Sequence, residues 1–416
     1  MTPLLVASLI CFSALVFTSA APAHAYLVYF KNGSTMEVQS YRLGGDKVYL
    51  KVRSGEAAFD KDQIDLDKTG ADARAYNDAI RKVKTLIDKL DSGQAAEICK
   101  ALLAADPDDV QARYLHGVAL IGAKRLDDAI YELMRVQELD PNWPKVNTRL
   151  GDIYYMKGVY NSAIDNYLKA LDEDPKDKEA HLGLGNCYAK QEMYEGAKTE
   201  LQKAIELRPD YAAAYATLGY VYYKQSQFDD AMAAVDKAIK MDSSLPEAYY
   251  YQGLIFGVMG TETHDSRKRL DYFDKSIESF RRATTLRKDF PEAHADLGVA
   301  FYSRGSVARA VEEFKLAISQ KPDMAIAHSN LAGIYLKQGY YREAVDEAKK
   351  AVSIEPNMVE AYFIMGNAYN NMKMYKEAAR AYDKYLYYSP DGAMSDEVQR
   401  RLDHVLEEGG MKEPEK

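Results

Sequence analysis

Three residue types recur at one fixed interval along most of this chain of 416 residues. Prolines stand 34 residues apart at Pro107, Pro141, Pro175 and Pro209, and the series resumes at Pro322, Pro356 and Pro390. Glycines keep the same interval at Gly117, Gly151, Gly185, Gly219 and Gly253, and alanines keep it at Ala129, Ala163, Ala197 and Ala231. Because all three series share one period and one interruption, the chain is an array of similar units that bury a core by stacking.

Within each unit the recurring residues form one motif, Leu-Gly-x-x-aromatic, then Ala-x-x-x-aromatic, then Pro. One unit carries it as Leu150-Gly151-Asp152-Ile153-Tyr154, Ala163 to Tyr167 and Pro175. This motif resembles the tetratricopeptide repeat (TPR), and the resemblance covers most of the chain. It implies a mainly α fold, a TPR α-solenoid in which helix pairs form a right-handed superhelix. A small N-terminal antiparallel β segment precedes the helices.

The repeat pattern sets the predicted boundaries. Eight full repeats fill 110–391, a degenerate helix pair fills 71–109, and an amphipathic capping helix covers 395–408. Gly253 and Gly298 are 45 residues apart, so one repeat carries 11 extra residues, near 260–270. The insertion either extends the second helix of that repeat or projects a basic loop from one edge. A tolerated loop without a role is the more conservative interpretation.

The first 68 residues differ from the rest. Residues 1–25 predict a secretory signal peptide, because an uncharged stretch ends in the small-x-small pattern Ala23-His24-Ala25. No Lys or Arg precedes that stretch, so an uncleaved N-terminal anchor is the alternative. Residues 26–68 alternate strand formers with Asn-Gly and Gly-Gly turns, which predicts a sheet of four or five strands or a small SH3-like barrel.

Composition and motif content exclude several function classes. A net charge of -9 provides no electrostatic footprint for nucleic acid. No metal-ligand spacing, phosphate loop or catalytic signature is present, so we expect no cofactor, no metal and no catalytic residue. His181, His294 and His328 share one repeat position and are predicted to pack between helices. Cys99 and Cys187 are predicted to be buried free thiols.

The surface lined by the first helix of each repeat is the predicted binding groove. Residues three before the glycine position, one after it, and four or five after it are expected to point into a concave face. That set is rich in tyrosine and asparagine, which suit contact with a peptide. The predicted contact residues are Tyr114, Tyr155, Asn186, Tyr220, Tyr223, Lys224, Tyr250, Tyr302, Asn367, Asn370 and Asn371. The competing interpretation is that these tyrosines only pack between repeats.

The sequence therefore predicts a non-catalytic protein-interaction scaffold of the bacterial cell envelope, exported to the periplasm or associated with the envelope. The partner is a protein or peptide segment, and the membrane is contacted only if the N-terminal segment stays uncleaved. The positions of the Lys/Asn/Arg carboxylate clamp found in some TPR co-chaperones lack the paired basic residues. Alternatives are an accessory subunit that presents substrate to an envelope enzyme, an assembly factor for a pilus, secretion or outer-membrane complex, and a homo-oligomer joined through the β segment.

Overall fold

The computed structural model describes residues 26–31, 35–38, 40–44, 47–52, 55–64 and 66–411, so the predicted signal segment 1–25 lies outside the described residues. Within those ranges nineteen helices follow a small β segment. The helices are α1 Leu66–Asp88, α2 Ser92–Ala105, α3 Val110–Gly122, α4 Leu126–Leu139, α5 Val146–Met156, α6 Tyr160–Glu173, α7 Lys178–Lys190, α8 Tyr194–Leu207, α9 Ala212–Lys224, α10 Phe228–Met241, α11 Pro246–Glu262, α12 Ser266–Leu286, α13 Pro291–Ser303, α14 Val307–Gln320, α15 Ala325–Lys337, α16 Tyr341–Ile354, α17 Val359–Asn371, α18 Tyr375–Tyr388 and α19 Ser395–Glu408.

The β segment consists of five antiparallel strands in two sheets. The strands are β1 Tyr26–Tyr29, β2 Thr35–Val38, β3 Ser40–Gly44, β4 Lys47–Val52 and β5 Gly55–Asp60. β1 pairs only with β2, and β3, β4 and β5 form the second sheet, so the described strands form neither the single sheet nor the barrel expected from the sequence. The reason is that β2 ends at Val38 and β3 begins at Ser40, and one intervening residue is too few for a hairpin that would pair these two strands.

A small core joins these strands to the first helix. Val28, Val48, Leu50 and Ile64 are buried together, and Leu66 at the start of α1 packs against them. Phe30 forms an isolated bridge with Ile64. A segment this short has little core of its own, and contact with α1 extends it. Helix α1 therefore begins inside the range 26–68 that the sequence assigned to the β segment.

In seven of the eight full repeats the two helices close on a glycine of the first helix. A Cβ added to Gly151 would lie 2.7 Å from ring atoms of Tyr167, and one added to Gly298 would lie 3.0 Å from the ring of Phe314. The first approach is closer than real Cβ atoms make and the second is tighter than most, so the recurring glycine lets the second helix cross the first closely. Tyr167 and Phe314 are almost fully buried as a result.

The turn between the two helices of a repeat also recurs, with one residue in the left-handed region of backbone space. These residues are Leu90, Lys124, Gly158, Glu192, Ser226, Gly305, Gly339 and Lys373, with φ between 60° and 90°. The next amide then donates back to the first helix, as from Ser306 N to the Phe301 carbonyl at 2.8 Å. This hydrogen bond closes the helix C-terminus in a Schellman-type turn.

The 11 extra residues are almost entirely helical. Helix α11 has 17 residues and α12 has 21, against 13 and 14 in the next pair, so the insertion lengthens both helices by four and seven residues. The second helix is extended, as one of the two expectations had it, but the first helix is extended as well. The alternative expectation of a projecting basic loop is corrected, because these residues are helical. Gly253 on Phe280 and Gly260 on Phe273 provide two successive close contacts along the longer hairpin.

Contacts divide the chain into two compact units, and the division falls inside α9. Unit 1 ends at Thr217, and unit 2 comprises Leu218–Lys416. At the end of unit 2, helix α19 packs on the last helix pair through Val398, Leu402 and Val405. Its exposed face carries charged residues, as expected of a helix that ends an array.

Gly305→Ala is expected to destabilise the protein by about 1 kcal/mol, since its φ of +90° strains any residue with a Cβ. A Cβ there would meet no atom within 4 Å, so backbone strain is the whole effect. Gly93→Ala is the matched control, because Gly93 is also free of neighbours within 4 Å but lies in helix α2. We expect that variant to be stabilised by a few tenths of a kcal/mol up to about 1. Urea unfolding followed by circular dichroism measures both, and equal effects would contradict the backbone explanation.

Candidate functional site

The candidate site is the surface formed by the first helices of successive repeats, called here the first-helix face. Successive first helices touch each other within each unit, as α5 touches α7 in unit 1 and α15 touches α17 in unit 2. Since an α-helix turns by about 100° per residue, the position two before the glycine lies about 200° from it. That position therefore points away from the second helix of its own repeat and toward the preceding repeat, since a Cβ added to Gly183, which holds it, would meet the ring of Tyr167.

In the repeat of unit 1 that begins with α5, this position is held by Arg149, which is only 3% exposed. Its Nη1 donates to Asp152 Oδ2 at 2.9 Å, and Tyr167 Oη donates to the other oxygen of Asp152 at 2.8 Å. Arg149 is also hydrogen-bonded to Tyr114 of the preceding repeat. The cation thus has a carboxylate of its own helix as counter-ion, and the tyrosine hydroxyls complete the cluster.

A second group of charges lies beside this cluster. Lys145 Nζ is 2.6 Å from Glu179 Oε2 and 3.4 Å from Asp177 Oδ1, and Thr148 Oγ1 donates to Asp177 Oδ2 at 2.6 Å. Asp177 also caps α7 by accepting from the Glu179 and Ala180 amides. Every charge in this region of unit 1 is therefore compensated from within the chain.

Burial and these partners shift the acid pKa values in opposite directions. Burial raises the pKa of Asp152 to about 6, although Arg149 and Tyr167 favour its ionised form. Burial also acts to raise the pKa of Asp177, but hydrogen bonds from its neighbours and the charge of Lys145 lower it to about 2. These shifts fit a packed structural network, because neither carboxylate is open to an incoming molecule: Asp152 is 1% exposed and Asp177 is 3% exposed.

In unit 2 a series of neighbouring aromatic rings extends from Phe228 at the start of α10, through α9 and α11, to Phe290 just before α13, and its members Tyr251 and Phe290 are buried. Ring centroids are 6.4 Å apart for Phe228 and Tyr223, 6.2 Å for Tyr223 and Tyr220, and 4.9 Å for Tyr220 and Tyr251. The series continues from Tyr251 to Tyr250 at 5.7 Å and from Tyr250 to Phe290 at 5.0 Å. Tyr220, Tyr223 and Tyr250 are half-buried, so each ring is packed on one side and reaches the surface on the other.

Asp296 lies at the end of this aromatic series, two residues before Gly298. Tyr250 Oη of the preceding repeat donates to Asp296 Oδ2 at 2.8 Å. Among the described residues no Lys, Arg or His side chain forms an ion pair with Asp296, which is half-buried. Burial raises the pKa of Asp296 to about 6, the hydrogen bond from Tyr250 opposes that shift, and the charge of nearby Glu292 adds to it.

Models of known protein families match ranges of this chain between residues 86 and 391. Models described as TPR repeat match 151–192, 185–226 and 298–339, and models described as tetratricopeptide repeat match 86–151, 216–256, 325–358 and 359–391. The chain belongs to the TPR family. The family resemblance and the mainly α repeat fold expected from the sequence are thus confirmed.

One solved structure supports the fold, and two others are similar over part of the chain. The crystal structure of the APC/C hetero-tetramer Cut9–Hcn1 is similar, with a TM-score of 0.58 at 17% identity over 79% of this chain and 62% of that one. MamA matches 42% of this chain at 29% identity with a TM-score of 0.31. Pseudomonas aeruginosa PilF matches 55% at 18% identity with a TM-score of 0.47. No curated protein matches this TPR chain in sequence.

Several predicted contact residues are used inside the TPR array. Tyr155 is 4% exposed, and Asn186 is buried with its Oδ1 accepting from Thr217 Oγ1 at 2.9 Å. Asn367 is buried too, and its Oδ1 accepts from Tyr382 Oη at 2.8 Å and from Arg401 of the capping helix at 2.6 Å. These three residues stabilise the fold and offer little contact surface, which corrects the expectation for them.

The other predicted residues reach the surface to different degrees. Tyr114 is half-buried against Trp143 and Arg149, and Tyr302 is half-buried with Lys337 Nζ 2.5 Å from its hydroxyl. Lys224 and Asn371 are exposed, and Asn370 is half-buried. Tyr220, Tyr223 and Tyr250 are the three that the structure brings into one series of ring contacts, in which the buried Tyr251 links Tyr220 to Tyr250.

The predicted packing histidines are buried and have carboxylate partners. Nδ1 lies 2.6 Å from Glu200 in His181, 2.7 Å from Glu313 in His294 and 2.5 Å from Glu347 in His328, each glutamate 19 residues further on. Each pair joins the two helices of one repeat. Cys99 and Cys187 are buried free thiols, and burial raises the pKa of both.

Within the described residues, no group of three or more His, Cys, Asp or Glu side chains is placed to hold a metal ion. No helix in the same part of the chain combines the length and apolarity that crossing a membrane requires.

The position two before the glycine is the signal that the sequence prediction missed. In the other repeats it holds uncharged residues, namely Leu115, Gly183, Thr217, Tyr251, Asn330 and Ile364. Only Arg149 and Asp296 are charged there. Each is hydrogen-bonded to the tyrosine three before the glycine of the preceding repeat, Arg149 to Tyr114 and Asp296 to Tyr250. A charge at this position could have been noticed by aligning the repeats.

Arg149→Met is expected to cost about 3 kcal/mol of unfolding free energy, because it leaves the buried Asp152 carboxylate without its cation. Adding Asp152→Asn should recover most of that loss, since asparagine still accepts from Tyr167 but carries no charge. Chemical denaturation of the single and double variants measures the difference. Equal stability of the two would show that the ion pair contributes nothing specific.

His181→Gln is expected to destabilise the protein more at about pH 5.5 than at about pH 8.5. Burial lowers the pKa of His181, but hydrogen bonds to Glu200 and the Pro175 carbonyl raise it above 6.5 overall. A raised histidine pKa gives stability that is complete below the unfolded value and is lost as pH rises through the folded value. The pKa of Glu200 is lowered, so its share is kept above about 4.5. Thermal unfolding at both pH values measures this, with exposed His404→Gln as the control.

Proposed function

We propose that this TPR protein is a non-catalytic scaffold that holds an extended segment of a partner protein on the first-helix face of unit 2. The observation that carries the proposal is the group of half-buried tyrosines on the first helices α9 and α11, Tyr220, Tyr223 and Tyr250, which belong to one series of neighbouring rings. Tyrosine combines a large apolar ring with a hydrogen-bonding hydroxyl and has few rotatable bonds, so it orders at low entropic cost.

Polar groups on the first helices of unit 2 favour a peptide over an apolar ligand. Tyr250 directs its hydroxyl to Asp296, and Tyr302 on α13 accepts from Lys337 on α15. Asn370 and Asn371 lie at the end of α17, where amide side chains can pair with a peptide backbone. Unit 1 offers less, because its charged residues are buried and already compensated.

The location belongs to the proposal as well. The apolar N-terminal stretch and the Ala23-His24-Ala25 pattern support export to the periplasm or envelope of a bacterial cell. There the scaffold would assemble an envelope complex or present a substrate to a separate enzyme. These two roles differ in the identity of the partner, which a crosslinking experiment would provide.

A photo-crosslinking amino acid placed at Tyr223 or Tyr302 in living cells is expected to capture the partner, and the same group at Tyr387 is not. Tyr387 is the matched control, because it is 74% exposed and lies on the second helix α18. Tyr223→Ala should weaken capture at Tyr302 by about tenfold, the usual effect of removing one central interface tyrosine. Mass spectrometry of the crosslinked envelope fraction identifies the partner. Equal capture from all three positions would contradict the proposed face.

A further inference from the structure

Arg149 and Asp296 occupy the same position in two repeats and have opposite charges. Each is hydrogen-bonded to the tyrosine three before the glycine of the preceding repeat, Tyr114 for Arg149 and Tyr250 for Asp296. The two sites differ in what stands three residues further along the helix. Asp152 stands there for Arg149 and is its counter-ion at 2.9 Å.

In the repeat of Asp296 the corresponding residue is Val299, which cannot compensate a charge. Val299 is 42% exposed, so the place that a counter-ion would take lies open on the first-helix face. No cation within the described ranges forms an ion pair with Asp296. The titratable groups that face it are Tyr250 on α11, Tyr223 on α9, and Glu292 on its own helix. None of them supplies a positive charge.

The surroundings of Asp296 are suited to a cation. Tyr250 is hydrogen-bonded to Asp296, and the charge of Asp296 acts on Tyr223. Aromatic faces such as these attract ammonium and guanidinium groups. A half-buried carboxylate beside such rings gains most from a partner that brings a positive charge and excludes water.

We propose that Asp296 is the receptor for a Lys or Arg side chain of the bound segment, which takes the place above Val299 that Asp152 takes beside Arg149. This inference rests on the proposed function, because it names the chemistry that the same face recognises. The bound segment is therefore a basic peptide, with one cationic side chain fixed at Asp296 and flanking residues on the tyrosines.

Selection of random displayed peptides on the immobilised full chain tests this inference without knowledge of the partner. Wild-type protein is expected to enrich peptides that share a Lys or Arg at one position. Asp296→Asn should lose that preference, and Asp346→Asn should keep it. Asp346 is the matched control, because it is an exposed aspartate on the second helix α16, outside the face.

Val299→Arg provides the second variant. It places a charged side chain at a surface position, so it is expected to fold. Its guanidinium would stand three residues from Asp296, as Asp152 stands from Arg149, and would compete with the peptide. We expect it to weaken binding of the selected basic peptides at least tenfold, while Val299→Gln weakens it little. Equal binding by both variants would overturn the inference.

The affinity for a selected peptide should also fall about tenfold between about pH 7.5 and about pH 5, because Asp296 with a pKa of about 6 loses its charge in that range. Asp296→Asn should show no such decrease. Enriched peptides without a shared basic residue would overturn the Asp296 receptor and leave the binding face intact. A wild-type selection that enriches no peptide would overturn both.

Discussion

The contact between a glycine on the first helix and a side chain on the second determines how the two helices cross in seven of the eight full repeats, and Ala332 replaces the glycine in the other. A Cβ on Gly151 would lie 2.7 Å from the ring of Tyr167, and one on Gly298 would lie 3.0 Å from the ring of Phe314, so the absence of a side chain lets the helices approach closely. This crossing fixes the rotation of the first helix about its axis. The residue two before the glycine is thereby directed away from the second helix of its own repeat.

The same contact explains which parts of the fold were predictable. The period, the helix pairs and the cap depend on glycine, alanine and proline, whose effects are local and steric, so a single sequence shows them. The two sheets of the β segment depend on strand pairing over longer separations, and the pattern of residues 26–68 fits a single sheet equally well. The insertion was located correctly, but its helical form depends on Gly260 meeting Phe273, a contact that the 34-residue period does not contain.

The candidate site was predictable only in part, because the exposure of a side chain depends on its neighbours as well as on its position within a repeat. The sequence prediction placed the groove at the positions three before, one after, and four or five after the glycine. Tyr155 and Tyr223 both stand four after the glycine, yet Tyr155 is 4% exposed and packs beside Tyr160, whereas Tyr223 is half-buried. The charged residues Arg149 and Asp296 were missed because the position two before the glycine was not considered.

Two charges at one repeat position show how a repeat array divides structural and functional roles. A charge that is half or fully buried is costly unless an opposite charge accompanies it. Unit 1 supplies that charge internally through Asp152, so Arg149 stabilises the fold and has nothing left to offer a partner. In unit 2 the corresponding residue is Val299, and the cost at Asp296 is reduced only by Tyr250 and by a raised pKa. Under the proposed function, the same repeat position stabilises one repeat and recognises a ligand in another, and the presence or absence of the internal counter-ion decides which.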